Sequence, residues 1–84
     1  MQNPVREEVT EILAVVLNVG IENINDESST DSLSEWDSLR HMNLIAAVED
    51  HYDIYFKEDE IFNATKFVQL LDLIQSKLEG KSNE

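Results

Sequence analysis

The chain has no cysteine, one proline, two glycines and only 6 basic residues among its 84. Without cysteine there is neither a disulfide framework nor a thiolate metal site, so packing must hold the domain together. Glycine occurs only as Gly20 and Gly80, which excludes a glycine-rich loop of the kind that cradles phosphates. The basic residues face 18 acidic ones, for a formal net charge of -12. A nucleic-acid backbone would repel such a surface, and so would an anionic membrane. No apolar run approaches a membrane span, and Met1-Gln2-Asn3-Pro4 lacks the basic-then-apolar pattern of a secretion signal. The expectation is a soluble, monomeric, cytoplasmic protein that meets basic patches on other proteins. The length suits one small domain near the lower limit for a hydrophobic core, with residues 1–80 as the domain and 81–84 as a frayed tail.

What is present is helical punctuation and helical spacing. Asn3 caps and Pro4 opens a first helix over about residues 4–18, with Val5, Val9, Ile12, Leu13, Val16 and Leu17 on one face and Gly20 as its stop. Residues 20–37 form a long connection rich in Asn, Asp, Glu, Ser and Thr, pinned to the core by Ile21, Ile24 and Leu33. Asp37 caps a second helix over 38–52, whose apolar face is read as Leu39, Met42, Ile45, Ala46, Glu49 and Tyr52. Phe56 then turns inward. A short acidic helix around Lys57-Glu58-Asp59-Glu60 points Ile61 and Phe62 in. Thr65 caps a last helix that buries Phe67, Val68, Leu70, Leu71, Ile74 and Leu78, with Lys77 in its final turn and Gly80 ending it. No segment alternates at period two for long enough to make a sheet. The fold class is all-α: a four-helix bundle with a long loop between the first two helices and a short third helix.

Catalytic and metal sites are not expected. His41 and His51 are ten residues apart with no cysteine partner, and read as surface histidines rather than zinc ligands. The acidic stretch Asp26–Asp37 lacks the glycine and terminal glutamate of a calcium loop. His41 lies three residues past Ser38, but the pair has no evident third member and no oxyanion hole. The informative feature is instead Ser38 itself, an exposed hydroxyl in the first turn of an amphipathic helix behind the cap Asp37. The tripeptide Asp-Ser-Leu also occurs as Asp31-Ser32-Leu33, but no apolar helical face follows it, so that copy reads as loop.

Asp37-Ser38-Leu39 joined to Met42 and Ile45, then to Ala46-Ala47-Val48-Glu49-Asp50-His51-Tyr52 and to Phe56 with Glu58-Asp59-Glu60, resembles the acyl carrier proteins over nearly the whole chain. The resemblance implies a carrier of acyl thioesters on a 4′-phosphopantetheine arm, attached to Ser38 by a phosphopantetheinyl transferase that uses coenzyme A and Mg²⁺. Asp37 and Leu39 flank that attachment point. It also implies acyl-loading and acyl-processing enzymes with basic docking patches, which would meet Asp37, Leu39, Arg40, Met42, Glu49, Asp50, Glu58, Asp59 and Glu60. Leu39 is open to two readings, docking anchor or core residue. Arg40, His41 and Asn43 stand where carriers of primary fatty-acid synthesis show acids, and Trp36 stands where small residues are usual. Those departures suggest a specialised carrier, with an aminoacyl load as one form of it. The competing reading is an acidic interaction module with no prosthetic group.

Overall fold

The computed structural model describes residues 4–82. Four helices follow in chain order: α1 (Pro4–Leu17), α2 (Ser38–Tyr52), α3 (Glu58–Asn63) and α4 (Phe67–Ser82), with a single 3-10 turn, Ile21–Asn23, in the first connection. The all-α architecture with a short third helix is the one expected, and no strand is formed among the described residues. The cap assigned to Asn3 lies outside them.

In α1, Val9, Leu13 and Leu17 face the core and Val15 faces solvent, as the 3.6-residue spacing requires. The helix stops at Asn18, not at Gly20. Asn18 has φ 58°, Gly20 an extended φ of -71°. The Asn18 N–H donates to the Val15 carbonyl at 3.3 Å and the Val19 N–H to the Ala14 carbonyl at 3.0 Å, which satisfies two carbonyls the helix end would leave over. Asparagine tolerates the left-handed region better than most side-chain-bearing residues, so the stop fell two residues before the nearest glycine.

α2 starts and ends where its spacing predicts, but its inward face is rotated from the expected one. His41, Leu44, Ile45 and Val48 are buried, while Leu39 is 72% and Met42 47% exposed. Both sets obey helical spacing. The observed set buries more aliphatic surface, because Leu44 and Val48 go in and only His41 has to be accommodated among them. At the far end of α2, Asp53 turns at φ 57° and the Tyr52 hydroxyl donates to Glu8 Oε1 of α1 at 2.7 Å. Burial, then the bond to Glu8 and its charge, pushes the Tyr52 phenol well up, so it remains a donor.

α3 fully buries no side chain: Ile61 is half-buried, and Phe62 points out rather than in, 67% exposed. α4 begins at Phe67, one residue later than a cap at Thr65 implies. The Thr65 carbonyl accepts from the Thr30 N–H at 3.0 Å and the Phe67 N–H donates to the Ser28 carbonyl at 2.9 Å, so the segment before α4 stitches the long loop to the bundle. The loop is pinned by buried Ser28, Ser29 and Trp36, with Ile24 and Leu33 half-buried, whereas Ile21 is exposed. α4 also runs through Gly80 to Ser82, because a glycine in a helix costs only about 1 kcal/mol relative to alanine and need not end it. Lys77 therefore lies inside the helix. Of the expected frayed tail, residues 83–84 lie outside the described residues.

The assignment of the α1 stop is checked by chemical denaturation. Asn18→Val should destabilise the domain by about 1–2 kcal/mol, the cost of forcing a β-branched residue to positive φ. Gly20→Ala should stay within about 0.5 kcal/mol, since an added Cβ meets only the mobile carboxylate end of Glu22.

Candidate functional site

Asp37 sets the position of Ser38. Its backbone is extended, its Oδ1 accepts from the Arg40 N–H at 2.9 Å, and its carbonyl takes the His41 N–H at 2.8 Å as the first bond of α2. Ser38 is thereby the first helical residue, with an exposed side chain and the unbonded N–H groups of the helix start around it. Ser32 is placed differently. Its hydroxyl accepts from the Ser29 N–H at 2.9 Å inside a turn and is spent on holding the loop.

Beside Ser38 lies an open cleft of about 400 Å³, lined by Thr30, Trp36, Asp37, His41, Met42, Phe62 and Thr65. Trp36 is 1% exposed and His41 6% exposed. The reading of His41 as a surface histidine is corrected here, while His51 is exposed with Nε2 3.7 Å from Glu8 Oε1. The Trp36 indole Nε1–H donates to His41 Nδ1 at 3.0 Å, and His41 Nε2 lies 2.7 Å from the Ile61 carbonyl oxygen. Both ring nitrogens are occupied, so His41 is not free to act as a base toward Ser38. No group of three or more metal-ligating side chains is gathered among the described residues.

The residues expected to meet partners fall into two groups. Leu39, Met42, Asp50, Glu58 and Asp59 are exposed, with Asp37 and Arg40 beside Ser38. Arg40 Nη1 lies 3.7 Å from Asp37 Oδ2 and donates to the Glu35 carbonyl at 3.4 Å, so its charge is turned toward the cap. Glu49 and Glu60 carry internal bonds. Glu49 Oε2 accepts from the Phe56 N–H at 2.9 Å, and Glu60 Oε1 accepts from the Lys57 N–H at 2.7 Å and from Lys77 Nζ at 2.8 Å. The bond from Lys77, then that from the Lys57 backbone, holds the Glu60 carboxyl below the usual glutamate range. Sequence reasoning missed Thr30, Thr65 and the outward Phe62. The cap-type residues of the loop hinted at the threonines, but only chain folding brings them to the cleft.

Ser38 thus presents an exposed hydroxyl on a helix lip beside an open cleft, and both ring nitrogens of nearby His41 are already engaged. Comparison with known proteins shows the family. The family model for a phosphopantetheine attachment site matches residues 7–74. An acyl carrier protein of Buchnera aphidicola subsp. Schizaphis graminum is 32% identical over 76 residues, covering 89% of this chain and 95% of that protein. The solution structure of the holo acyl carrier protein of Geobacter metallireducens matches with a TM-score of 0.85 at 33% identity, covering 98% of this chain and 94% of the other. The acyl carrier protein of Thermotoga maritima has a TM-score of 0.78 at 23% identity, covering 95% and 98%, a likeness of fold. The chain belongs to the acyl carrier protein family, carriers rather than catalysts, whose cofactor is covalently attached 4′-phosphopantetheine.

The clamp on α3 makes a prediction about acid. Because the folded Glu60 is more acidic than an ordinary glutamate, its contribution is present above the ordinary value of 4.5 and is lost as pH falls through the lower folded value. Thermal melts across that range should show a shallower loss of Tm in Glu60→Gln than in wild type. An identical slope would remove Glu60 from the account.

Proposed function

We infer that Ser38 is the attachment point and that the chain carries acyl groups for partner enzymes. The observation that supports this most directly is the exposed Ser38 hydroxyl as first residue of α2, with the cleft beside it. When bound, the cofactor supplies a thiol on a long arm, which holds acyl groups as thioesters. The chain's own residues supply the rest. The start of α2 favours the negative phosphodiester through its unbonded N–H groups and its dipole. Asp37 opposes that charge, and Arg40, turned toward Asp37, offsets the opposition. Thr30, Thr65 and Asp37 present polar atoms along the cleft, and Trp36, Met42 and Phe62 present apolar surface, a mixed lining that suits an amide-bearing arm.

A phosphopantetheinyl transferase makes the modification from coenzyme A with Mg²⁺, and cytoplasmic loading and processing enzymes then dock on the α2 side. Leu39 and Met42 are their apolar anchors and Asp37, Asp50, Glu58 and Asp59 their charged rim. Glu49 and Glu60 contribute less, since each already accepts internal bonds. Exposed charge pairs are worth about 0.2–1 kcal/mol each, enough to steer transient complexes without making them tight. The arm keeps the load at an effective concentration of roughly millimolar, so weak docking suffices. Arg40 next to Ser38 lowers the attraction to a basic partner at that point, which supports a specialised biosynthetic pathway over housekeeping fatty-acid synthesis.

Intact mass after incubation with coenzyme A, Mg²⁺ and a broad-specificity transferase tests the attachment point. Wild type and Ser32→Ala should each gain one arm and Ser38→Ala none; a wild type that gains none, or a Ser38→Ala that gains one, overturns the assignment. For the pathway, the arm-bearing protein should support elongation by housekeeping fatty-acid synthase enzymes poorly, and Arg40→Glu should improve it. Elongation equal to that with those enzymes' own carrier rejects specialisation.

A further inference from the structure

One turn into α2 from Ser38, the His41 ring reaches from one wall of the cleft to the other. On one side is the Trp36 indole, on the other the Ile61 carbonyl of α3. The indole nitrogen only donates and the carbonyl only accepts. Together they leave a single arrangement: Nδ1 carries the lone pair and Nε2 the hydrogen, so the ring is neutral. The ring is buried, so water has little room to stand in for either partner.

The Ile61 carbonyl is one that α3 leaves over. α3 stops at Asn63 with the Ala64 N–H on the Glu60 carbonyl, and a helix end leaves its last carbonyls to outside donors. His41 supplies that donor from a different helix. Because α3 fully buries no side chain, its polar clamps count for more than they would in a longer helix: this one to α2, and Glu60–Lys77 to α4.

We propose that His41 is a positioning residue that holds the Trp36 floor and the α3 wall of the cleft in register with Ser38, and that this bracket exists only while its ring is neutral. The positioning role rests on Ser38 as the attachment point; the bracket itself does not. A second proton on the ring sets an N–H at Nδ1 against the indole N–H, two donors with no acceptor between them. The two bonds thus require the neutral ring in a single tautomer. The charged groups on the surrounding elements are otherwise engaged or exposed. Asp37 and Arg40 pair with each other, Glu60 pairs with Lys77, and Glu35, Glu58, Asp59 and Lys66 do not hydrogen-bond to the ring. No carboxylate among the described residues is bonded to His41 to hold the added proton.

Trp36 is the only tryptophan, so its indole N–H resonance and its emission report on the bracket in the unmodified protein. In the unmodified wild type the indole N–H should be exchange-protected. His41→Gln offers an acceptor oxygen and a donor nitrogen, so it should stay protected. His41→Leu should be unprotected. With a transferase, coenzyme A and Mg²⁺, the KM for His41→Leu as substrate should rise about tenfold, the scale of one or two lost hydrogen bonds. His41→Gln should stay within about threefold of wild type, with kcat similar in all three. A wild-type indole N–H no better protected than that of His41→Leu, or a His41→Gln with a KM no better than His41→Leu, overturns the proposal. If His41→Leu does not fold, His41→Gln against wild type decides alone. A wild type that takes no arm while its indole N–H is protected as described overturns the role of Ser38 and leaves the bracket standing.

Discussion

An indole N–H taken out of water has to find an acceptor, and here the acceptor is a histidine that has itself been taken out of water. Trp36 sits at the end of the long loop, His41 on α2 and Ile61 on α3, so two hydrogen bonds join three segments. Around this bracket the cleft beside Ser38 takes its form. The bracket also permits the rotation of α2: Leu44, Ile45 and Val48 turn inward, His41 goes with them because both its nitrogens are satisfied, and Leu39 and Met42 are left on the outer face.

The rest of the domain does with backbone bonds what a larger protein would do with apolar area. Asn18 and Asp53 close α1 and α2 in left-handed turns, and Glu49 reaches to the Phe56 N–H across the turn into α3. The Ser28 and Thr65 carbonyls sew the long loop to α4. Serine and asparagine side chains fold the loop on itself: Ser28 Oγ accepts from the Asn25 N–H at 2.9 Å, and Asn25 Oδ1 from the Glu27 N–H at 2.8 Å. In a chain this short such bonds leave few buried polar groups unmet, and no buried side-chain nitrogen or oxygen among the described residues lacks a partner. Among the acids of α2 and α3, Glu49 and Glu60 hold the fold, while Asp50, Glu58 and Asp59 are exposed.

Ser38 was legible as a special hydroxyl because its local signals agree: a capping aspartate, a helix start, and a second copy of the tripeptide that lacks both. The helix α2 was legible to the residue for the same reason, since Asp37 and the 3.6-residue spacing are both local. Where one stripe competed with another, spacing did not discriminate. Leu39-Met42 and His41-Leu44-Ile45-Val48 are equally periodic, and the polar letter at His41 disguised the one that the structure buries. Gly20 and Gly80 misled in a similar way, because glycine permits a helix stop without requiring one, and Asn18 performed that role in α1.

By itself, then, the sequence determined the number and order of helices, the lack of any disulfide or thiolate metal site, the acidic surface and the serine at the lip of α2. These depend on composition and on residues within one or two turns of each other. Tertiary structure alone decided that Trp36 and His41 are partners, that Phe62 faces outward, that Thr30 and Thr65 meet at the cleft, and which acids are already bonded. Each of those depends on atoms brought together from different segments, and burial of a polar ring is favourable only once its distant partner is in place. Ser38 was marked by its neighbours in sequence; its surroundings were made by its neighbours in space.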